Sequence, residues 1–165
     1  LMMTEQGSTL PKGHPGTALL TWFYCGFSPI APGTCGSLCA IPFAWVIVSL
    51  GGQWALLLAS CFVFFLGCLL CRWALTQLHA EDPQIIVIDE VAGQWLTLVI
   101  VPAEPLWYCV AFALFRLADI YKPWPVSFID RNMKNGFGIM LDDIAAAIYA
   151  LVAIQIIYLL IGQPI

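Results

Sequence analysis

Long uncharged apolar runs, separated by short polar clusters, set the pattern of this chain. Thr17 to Ser37 mixes aromatics with Gly, Pro, Ser and Thr and carries no charge, and a continuous apolar run follows from Leu38 to Leu50. Gly51 and Gly52 interrupt it. Trp54 to Cys71 is then long and apolar enough to cross a bilayer, and is closed by Arg72. Two apolar helices joined through Gly-Gly predict an antiparallel hairpin. The next segment, WALTQLHAEDPQ, is amphipathic and predicts a stretch at a membrane interface, with His79 a solvated loop residue. Ile85 to Val101 is apolar again except for Asp89, Glu90 and Gln94. As a helix it places Asp89 and Gly93 on one face, so the small residue leaves room beside the carboxylate. Pro102 to Pro105 turn the chain, and Leu106 to Leu117 returns with Arg116 at its end. Pro123 and Pro125 break that helix, Asp130, Arg131 and Lys134 form a polar loop, and Gly136 and Gly138 permit a tight return into a final spanning helix, Ile139 to Ile161.

Composition turns this pattern into a class. Of the 165 residues 61% are hydrophobic and 10% charged, with a mean hydropathy of +0.90, outside the range of soluble globular proteins. The fold class is therefore all-α: a polytopic membrane helical bundle of about five hydrophobic helices, some short or half-inserted. The length suggests a single domain over residues 17–165, preceded by a flexible start, 1–16, whose opening LMMTEQGS reads as a vector remnant. The net charge of −4 and the lack of a basic stripe exclude nucleic acid as a partner. All six Lys and Arg residues fall on one side of the predicted topology, which the positive-inside rule makes cytoplasmic. The seven cysteines lie mostly in apolar runs, and the Cys68/Cys71 pair reads as small buried hydrophobes, not as a redox or metal motif.

Between Leu114 and Asp143 lie 8 of the 16 charged side chains. Ionisable groups next to hydrocarbon cost several kcal/mol unless paired, hydrated or metal-bound, so this island is a functional-site candidate. Arg116, Asp119 and Lys122 recur at i, i+3 and i+6, on one face while the helix lasts. Three carboxylate groups, Asp89/Glu90, Asp119 and Asp142/Asp143, converge at the cytoplasmic ends of the third, fourth and fifth helices. Hard oxygen ligands in that number suit Mg²⁺, and adjacent basic residues suit a lipid carrying phosphate. At Gly33, Thr34, Gly36 and Ser37 a helix start could cradle a phosphate, although spacing alone favours an ordinary capped helix.

Four blocks of sequence carry a resemblance: GFSPIAPGTCGS at 26–37, DPQIIVIDEVAGQW at 82–95, LFRLADIYKPWPVSFIDR at 114–131 and GFGIMLDD at 136–143. Taken in this order the chain resembles the phosphatidylglycerophosphatase A family from about Thr21 to Ile161. The resemblance implies Mg²⁺-dependent hydrolysis of phosphatidylglycerophosphate to phosphatidylglycerol and phosphate, a step of phospholipid biosynthesis, in the bacterial inner membrane, with the site facing the cytoplasm. The family's acidic pair falls on Asp89 and Glu90, its Arg-Asp-Lys block on Arg116, Asp119 and Lys122, and its late pair on Asp142 and Asp143. Asp82 matches a less regular acid, while Asn135 and Ser127 depart from the pattern.

The expected division of labour follows. Asp89, Glu90, Asp142 and Asp143 hold Mg²⁺; Asp119 is a further ligand or the base that orients water, and Asp82 a further ligand. Arg116 and Lys122 clamp the terminal phosphate, helped by Thr34 and Ser37 and by Arg131. No Cys-x5-Arg loop is present, which argues against thiol-based chemistry; the DxDx[TV] pattern of aspartyl-phosphate enzymes is also absent, and direct attack by water and a covalent aspartyl-phosphate both stay open. A membrane lipid phosphotransferase would share this chemistry but has no DGxxAR-type signature here. A small ion transporter would place its acids at the midplane and not at one interface.

Overall fold

The computed structural model describes residues 10, 11, 13–78 and 83–162, and every regular element among them is helical. The acid Asp82 and the loop residue His79 lie outside the described residues. Two helices, Pro32–Leu78 and Gly136–Ile161, are long and apolar enough to cross a membrane.

The chain enters through a short helix, α1 (Pro15–Leu20), with Pro15 at its first position and the His14 imidazole accepting a hydrogen bond from the Gly16 N–H at 3.1 Å. The end of the predicted flexible start is anchored: Leu10 is buried and the His14 ring stacks on Trp73 at 4.8 Å. Trp22, Phe23 and Tyr24 follow in the left-handed region, with φ of 43°, 54° and 71°. Such a run is costly for bulky residues. Thr21 supports it, donating to the Thr17 carbonyl (2.8 Å) and accepting from the Tyr24 N–H (3.1 Å), while the Trp22 ring meets Trp95 edge-on at 5.5 Å.

The second helix, α2 (Pro32–Leu78), has one non-helical residue, Gly52, at φ 73° and ψ −174°. That conformation is open to glycine and hostile to a residue with a Cβ. The chain doubles back there, as its partners in α3 (Ile88–Leu98) show. Gly36 meets Val87 and Ala40 accepts from the Trp95 indole (2.9 Å). Beyond the turn, Gln53 donates to the Val101 carbonyl (2.7 Å) and Ser60 to the Ala92 carbonyl (2.9 Å). Along the first limb the partners ascend; along the second they descend. The antiparallel hairpin read from Gly51-Gly52 is therefore present.

Helix α3 is the central element. Val91, Ala92, Gly93, Gln94 and Trp95 are all buried, so the middle of the helix is surrounded by protein. Both limbs of α2 cover it, together with α4 (Pro105–Tyr121) and α6 (Gly136–Ile161). At 11 residues it is roughly 16 Å long, short of a bilayer core. Gly93 is the point of closest approach: a Cβ there would come within 2.7 Å of the Phe115 ring and 3.0 Å of the Asp143 carbonyl oxygen. We expect Gly93→Ala to destabilise the fold by about 1–3 kcal/mol through overpacking, measurable as a lowered Tm in detergent.

Three local expectations are corrected. The third helix starts at Ile88, not Ile85, which puts Asp89 and Glu90 in its first turn, where the macrodipole favours acids. The polar loop around Asp130 contains a short helix, α5 (Val126–Asn132), with Pro125 at its N-cap. Gly136 and Gly138 lie inside the final helix, not before it, and serve close packing. A Cβ on Gly136 would stand 2.7 Å from both the Cys68 carbonyl oxygen and the Arg72 nitrogen, and one on Gly138 would overlap Met133. The Asn135 side chain caps this helix by accepting from the Gly138 N–H at 2.8 Å.

Candidate active site

The ends of α3, α4, α5 and α6 and the start of α2 enclose a cavity of about 440 Å³. Six carboxylates line it, from Asp89, Glu90, Asp119, Asp130, Asp142 and Asp143, against three basic side chains, Arg116, Lys122 and Lys134. Each element delivers its group for a local reason. The α3 N-terminus presents Asp89 and Glu90, the last turns of α4 carry Arg116 and Asp119, and the second turn of α6 carries Asp142 and Asp143.

The carboxylates sort into two sets. Asp89, Glu90 and Asp143 each offer an oxygen within 4.8 Å of the others. In each of these residues one buried side-chain oxygen has no hydrogen-bond partner: Asp89 Oδ1, Glu90 Oε2 and Asp143 Oδ2. Buried acceptors without partners are costly, and three anionic ones together repel. Asp142 belongs to the other set. Its Oδ2 lies 3.1 Å from Lys122 Nζ, which also donates to Asp130 Oδ1 at 2.7 Å, and Lys134 approaches the same Asp130 oxygen at 4.0 Å. Burial acts against the Lys122 ammonium, but the hydrogen bond to Asp130 and the charge of Asp142 outweigh it and raise its pKa above the ordinary lysine value. Lys122 therefore stays charged across the physiological range.

Arg116 stands beside the first set and ties Asp119 to it. Its Nη1 lies 2.6 Å from Asp119 Oδ2, one helical turn on, and 3.8 Å from Glu90 Oε1. It also lies 3.5 Å from Ser37 Oγ. Gly33, in the first turn of α2, makes this meeting sterically feasible. A Cβ there would overlap the Glu90 carboxylate and come within 3.1 Å of Arg116 Nη2.

The sequence candidates are thus placed unevenly. Asp89, Glu90, Arg116, Asp119, Lys122, Asp142 and Asp143 all face one cavity. Lys122 leaves the helical face of Arg116 and Asp119, because it caps α4 in a left-handed conformation at φ 44°. Ser37 is buried beneath Arg116, donates to the Gly33 carbonyl (3.0 Å) and supports the guanidinium from behind. Thr34 is half-buried and is not among the lining residues, and Arg131 is exposed on α5 outside the cavity. From this part of the chain Asp130 and Lys134, and not Arg131, line the cavity. The i, i+4 spacing of Asp130 and Lys134 was the available signal. The pairing of Lys122 with Asp130 had none, since it depends on the turn into α5.

With this geometry in view, the comparisons decide the lineage. The family model described as "Phosphatidylglycerophosphatase A" matches residues 18–158. The chain belongs to the phosphatidylglycerophosphatase A family. It is 39% identical over 145 residues to the phosphatidylglycerophosphatase A of Escherichia coli (strain K12), covering 86% of this chain and 82% of that one. Against the phosphatidylglycerophosphatase A of Haemophilus influenzae the identity is 39% over 142 residues, covering 86% and 87%. A putative phosphatidylinositol-3-phosphatase of Bacteroides thetaiotaomicron is 38% identical over 148 residues, covering 86% and 92%. No solved structure matches. Membership of the family, with the two spanning-length helices, associates the protein with membranes.

Proposed function

We propose that the protein hydrolyses the terminal phosphomonoester of phosphatidylglycerophosphate, releasing phosphatidylglycerol and inorganic phosphate, with Mg²⁺ held by Asp89, Glu90 and Asp143. The reaction rests on family membership, and the relatives named phosphatidylglycerophosphatase A support it. The cation rests on one observation: three carboxylates, Asp143 buried and Asp89 and Glu90 half-buried, converge with a buried, unpartnered oxygen on each, in a cavity where acids outnumber bases by six to three. Hard oxygen donors of this kind fit Mg²⁺. When bound, it supplies Lewis acidity toward a phosphoryl oxygen and toward water.

The chain's own residues do the rest. Arg116 and Lys122 face the non-bridging phosphate oxygens, and both are held from behind by carboxylates, Arg116 by Asp119 and Lys122 by Asp130 and Asp142. Held cations lose little freedom when phosphate arrives. A water oxygen bonds to phosphorus, the P–O bond to the glycerol breaks, and the leaving oxygen takes up a proton, so water is consumed and one phosphate is freed.

We read the protein as a multi-pass inner-membrane protein with this cavity at the cytoplasmic face. The two limbs of α2, with α3, α4 and α6, supply five hydrophobic segments, and α3 is buried in protein instead of facing lipid. Arg72, Arg116, Lys122, Arg131 and Lys134 gather at the cavity end, as the positive-inside rule requires of a cytoplasmic face. The polar groups gather at one end of the bundle, which favours catalysis on a lipid headgroup over transport through the midplane. The test is phosphate release from phosphatidylglycerophosphate by the detergent-purified protein. Release should fall to background in EDTA and return with added Mg²⁺. A folded, Mg²⁺-supplied sample that releases nothing would overturn the reading.

A further inference from the structure

A second cavity, of about 620 Å³, opens beside the first and has no part in the chemistry above. It lies between the end of the second α2 limb and the start of α6, where Gly136 lets the two backbones touch at Cys68 and Arg72. Its polar wall carries Arg72 and Lys134, and its apolar wall carries Leu69, Leu75 and Phe137. Among the described residues Arg72 has no acidic partner. Lys134 lines both cavities, so they adjoin across its side chain.

Below this cavity runs an apolar track. Leu58, Phe62, Phe65 and Leu69 recur at intervals of four, three and four residues, on one face of the limb, and are 67–71% exposed. Arg72 comes three residues later, so the track ends on a cation beside the cavity. A hydrocarbon-facing stripe with a cation at its polar end matches one chemical class, a phospholipid with its acyl chains on the stripe and its phosphate at the head.

We infer that this cavity is the subsite for the internal phosphodiester of the lipid substrate, with Arg72 and Lys134 on the diester phosphate and an acyl chain along Leu69, Phe65 and Phe62. The inference rests on the proposed lipid-phosphatase reading and deepens it. The terminal phosphate lies in the carboxylate cavity, the diester phosphate in the neighbouring one, and the glycerol between them passes Lys134. Arg72 is then a specificity residue: it distinguishes a lipid with an internal diester from one whose only phosphate is the monoester, and takes no part in bond breaking. Binding there is the same in the ground and transition states, so it governs KM and not kcat.

The experiment has a binding arm and a turnover arm, both on the full chain in detergent. Phosphatidylglycerol carries the diester and lacks the terminal phosphate, so its binding reads this cavity without any reaction. Native mass spectrometry or a competition titration should show Arg72→Gln binding it about tenfold more weakly than the unaltered protein, as loss of a hydrogen bond to a charged group predicts, with Arg72→Lys intermediate. Diacylglycerol and inorganic phosphate, which lack the diester, should bind both proteins alike. In turnover, Arg72→Gln should raise KM for phosphatidylglycerophosphate by a similar factor while kcat stays within about twofold. Equal binding of phosphatidylglycerol by the two proteins, or an equal loss of inorganic phosphate binding, would overturn the subsite. Absence of any turnover by the unaltered protein would instead overturn the phosphatase reading, and the phosphatidylglycerol arm would still report on the lipid cavity. An unchanged Tm of Arg72→Gln, expected for an exposed side chain, confirms that the comparison is between folded proteins.

Discussion

Asp143→Asn should abolish phosphate release, by a factor of about 10³ or more, while Asp142→Asn should cost about tenfold. The two acids are adjacent on α6, about 100° apart around its axis, and the fold sends them to different partners. Asp143 is 3% exposed and keeps a buried, unpartnered oxygen in the triple with Asp89 and Glu90. Its amide would keep the shape, remove one of three charges and put an N–H₂ where an oxygen ligand belongs. Asp142 is paired with Lys122, which retains Asp130 at 2.7 Å when Asp142 is neutralised. A second readout separates ligand loss from general damage. Mg²⁺ should raise the Tm of the unaltered protein and of Asp142→Asn, and leave that of Asp143→Asn unmoved, because only a folded state that binds the ion is stabilised by it. Without Mg²⁺, Asp143→Asn should be the more stable protein, since a buried carboxyl crowded by Asp89 and Glu90 has been replaced by a neutral amide. Equal losses of activity and of the Mg²⁺ response in both variants would sink the division of the pair.

The second large effect concerns Arg116. Arg116→Gln should lower kcat/KM by about 10²–10³, the range seen when a charge-assisted donor to a reacting phosphoryl or oxyanion group is removed. Arg116→Lys should recover little of it. A lysine ammonium is a point charge, whereas the guanidinium meets Asp119, Glu90 and Ser37 through Nη1 alone and keeps further N–H groups of its planar fork for phosphate oxygens. The glutamine variant also leaves the buried Asp119 and the half-buried Glu90 without their cation, which costs about 3 kcal/mol of stability and makes the lysine variant the cleaner probe. In Arg116→Lys the Mg²⁺-dependent rise in Tm should persist, because the carboxylate triple is intact. A lysine variant with full kcat/KM would show that Arg116 supplies charge alone and that its planar geometry is not used.

The stability of the apo site and its chemistry pull in opposite directions. Six acids against three bases in one cavity is an arrangement that folding alone would not favour. The rest of the molecule compensates with local devices. The α3 N-terminus sits under Asp89 and Glu90, Ser37 and Asp119 hold Arg116, and Gly33 and Gly93 let elements approach where any side chain would keep them apart. Sites of this kind commonly lose function when they are stabilised, and Asp143→Asn is the sharpest case here.

Much of this was readable before any coordinates. Helical class, the hairpin at Gly51-Gly52 and the interruption at Pro123 and Pro125 follow from apolar run length and from backbone chemistry that glycine and proline impose locally. The grouping of Asp89/Glu90, Arg116/Asp119 and Asp142/Asp143 was also legible, because charges in an apolar chain stand out and the ends of its helices are the places where they are affordable. Tertiary structure alone decided which acid meets which base. Adjacent residues on α6 diverge by the helical angle, so Asp143 joins the metal-type triple and Asp142 joins Lys122, and nothing in the spacing distinguishes them. The fold also removed Arg131 from the site and brought in Asp130 and Lys134, because α5 forms where a loop was expected and turns one face inward. It made Gly136 and Gly138 packing residues instead of turn residues, since their role depends on α2 and Met133 lying against them. Sequence determines the pieces through local chemistry; the contacts between pieces are long-range, and only their packing selects among them.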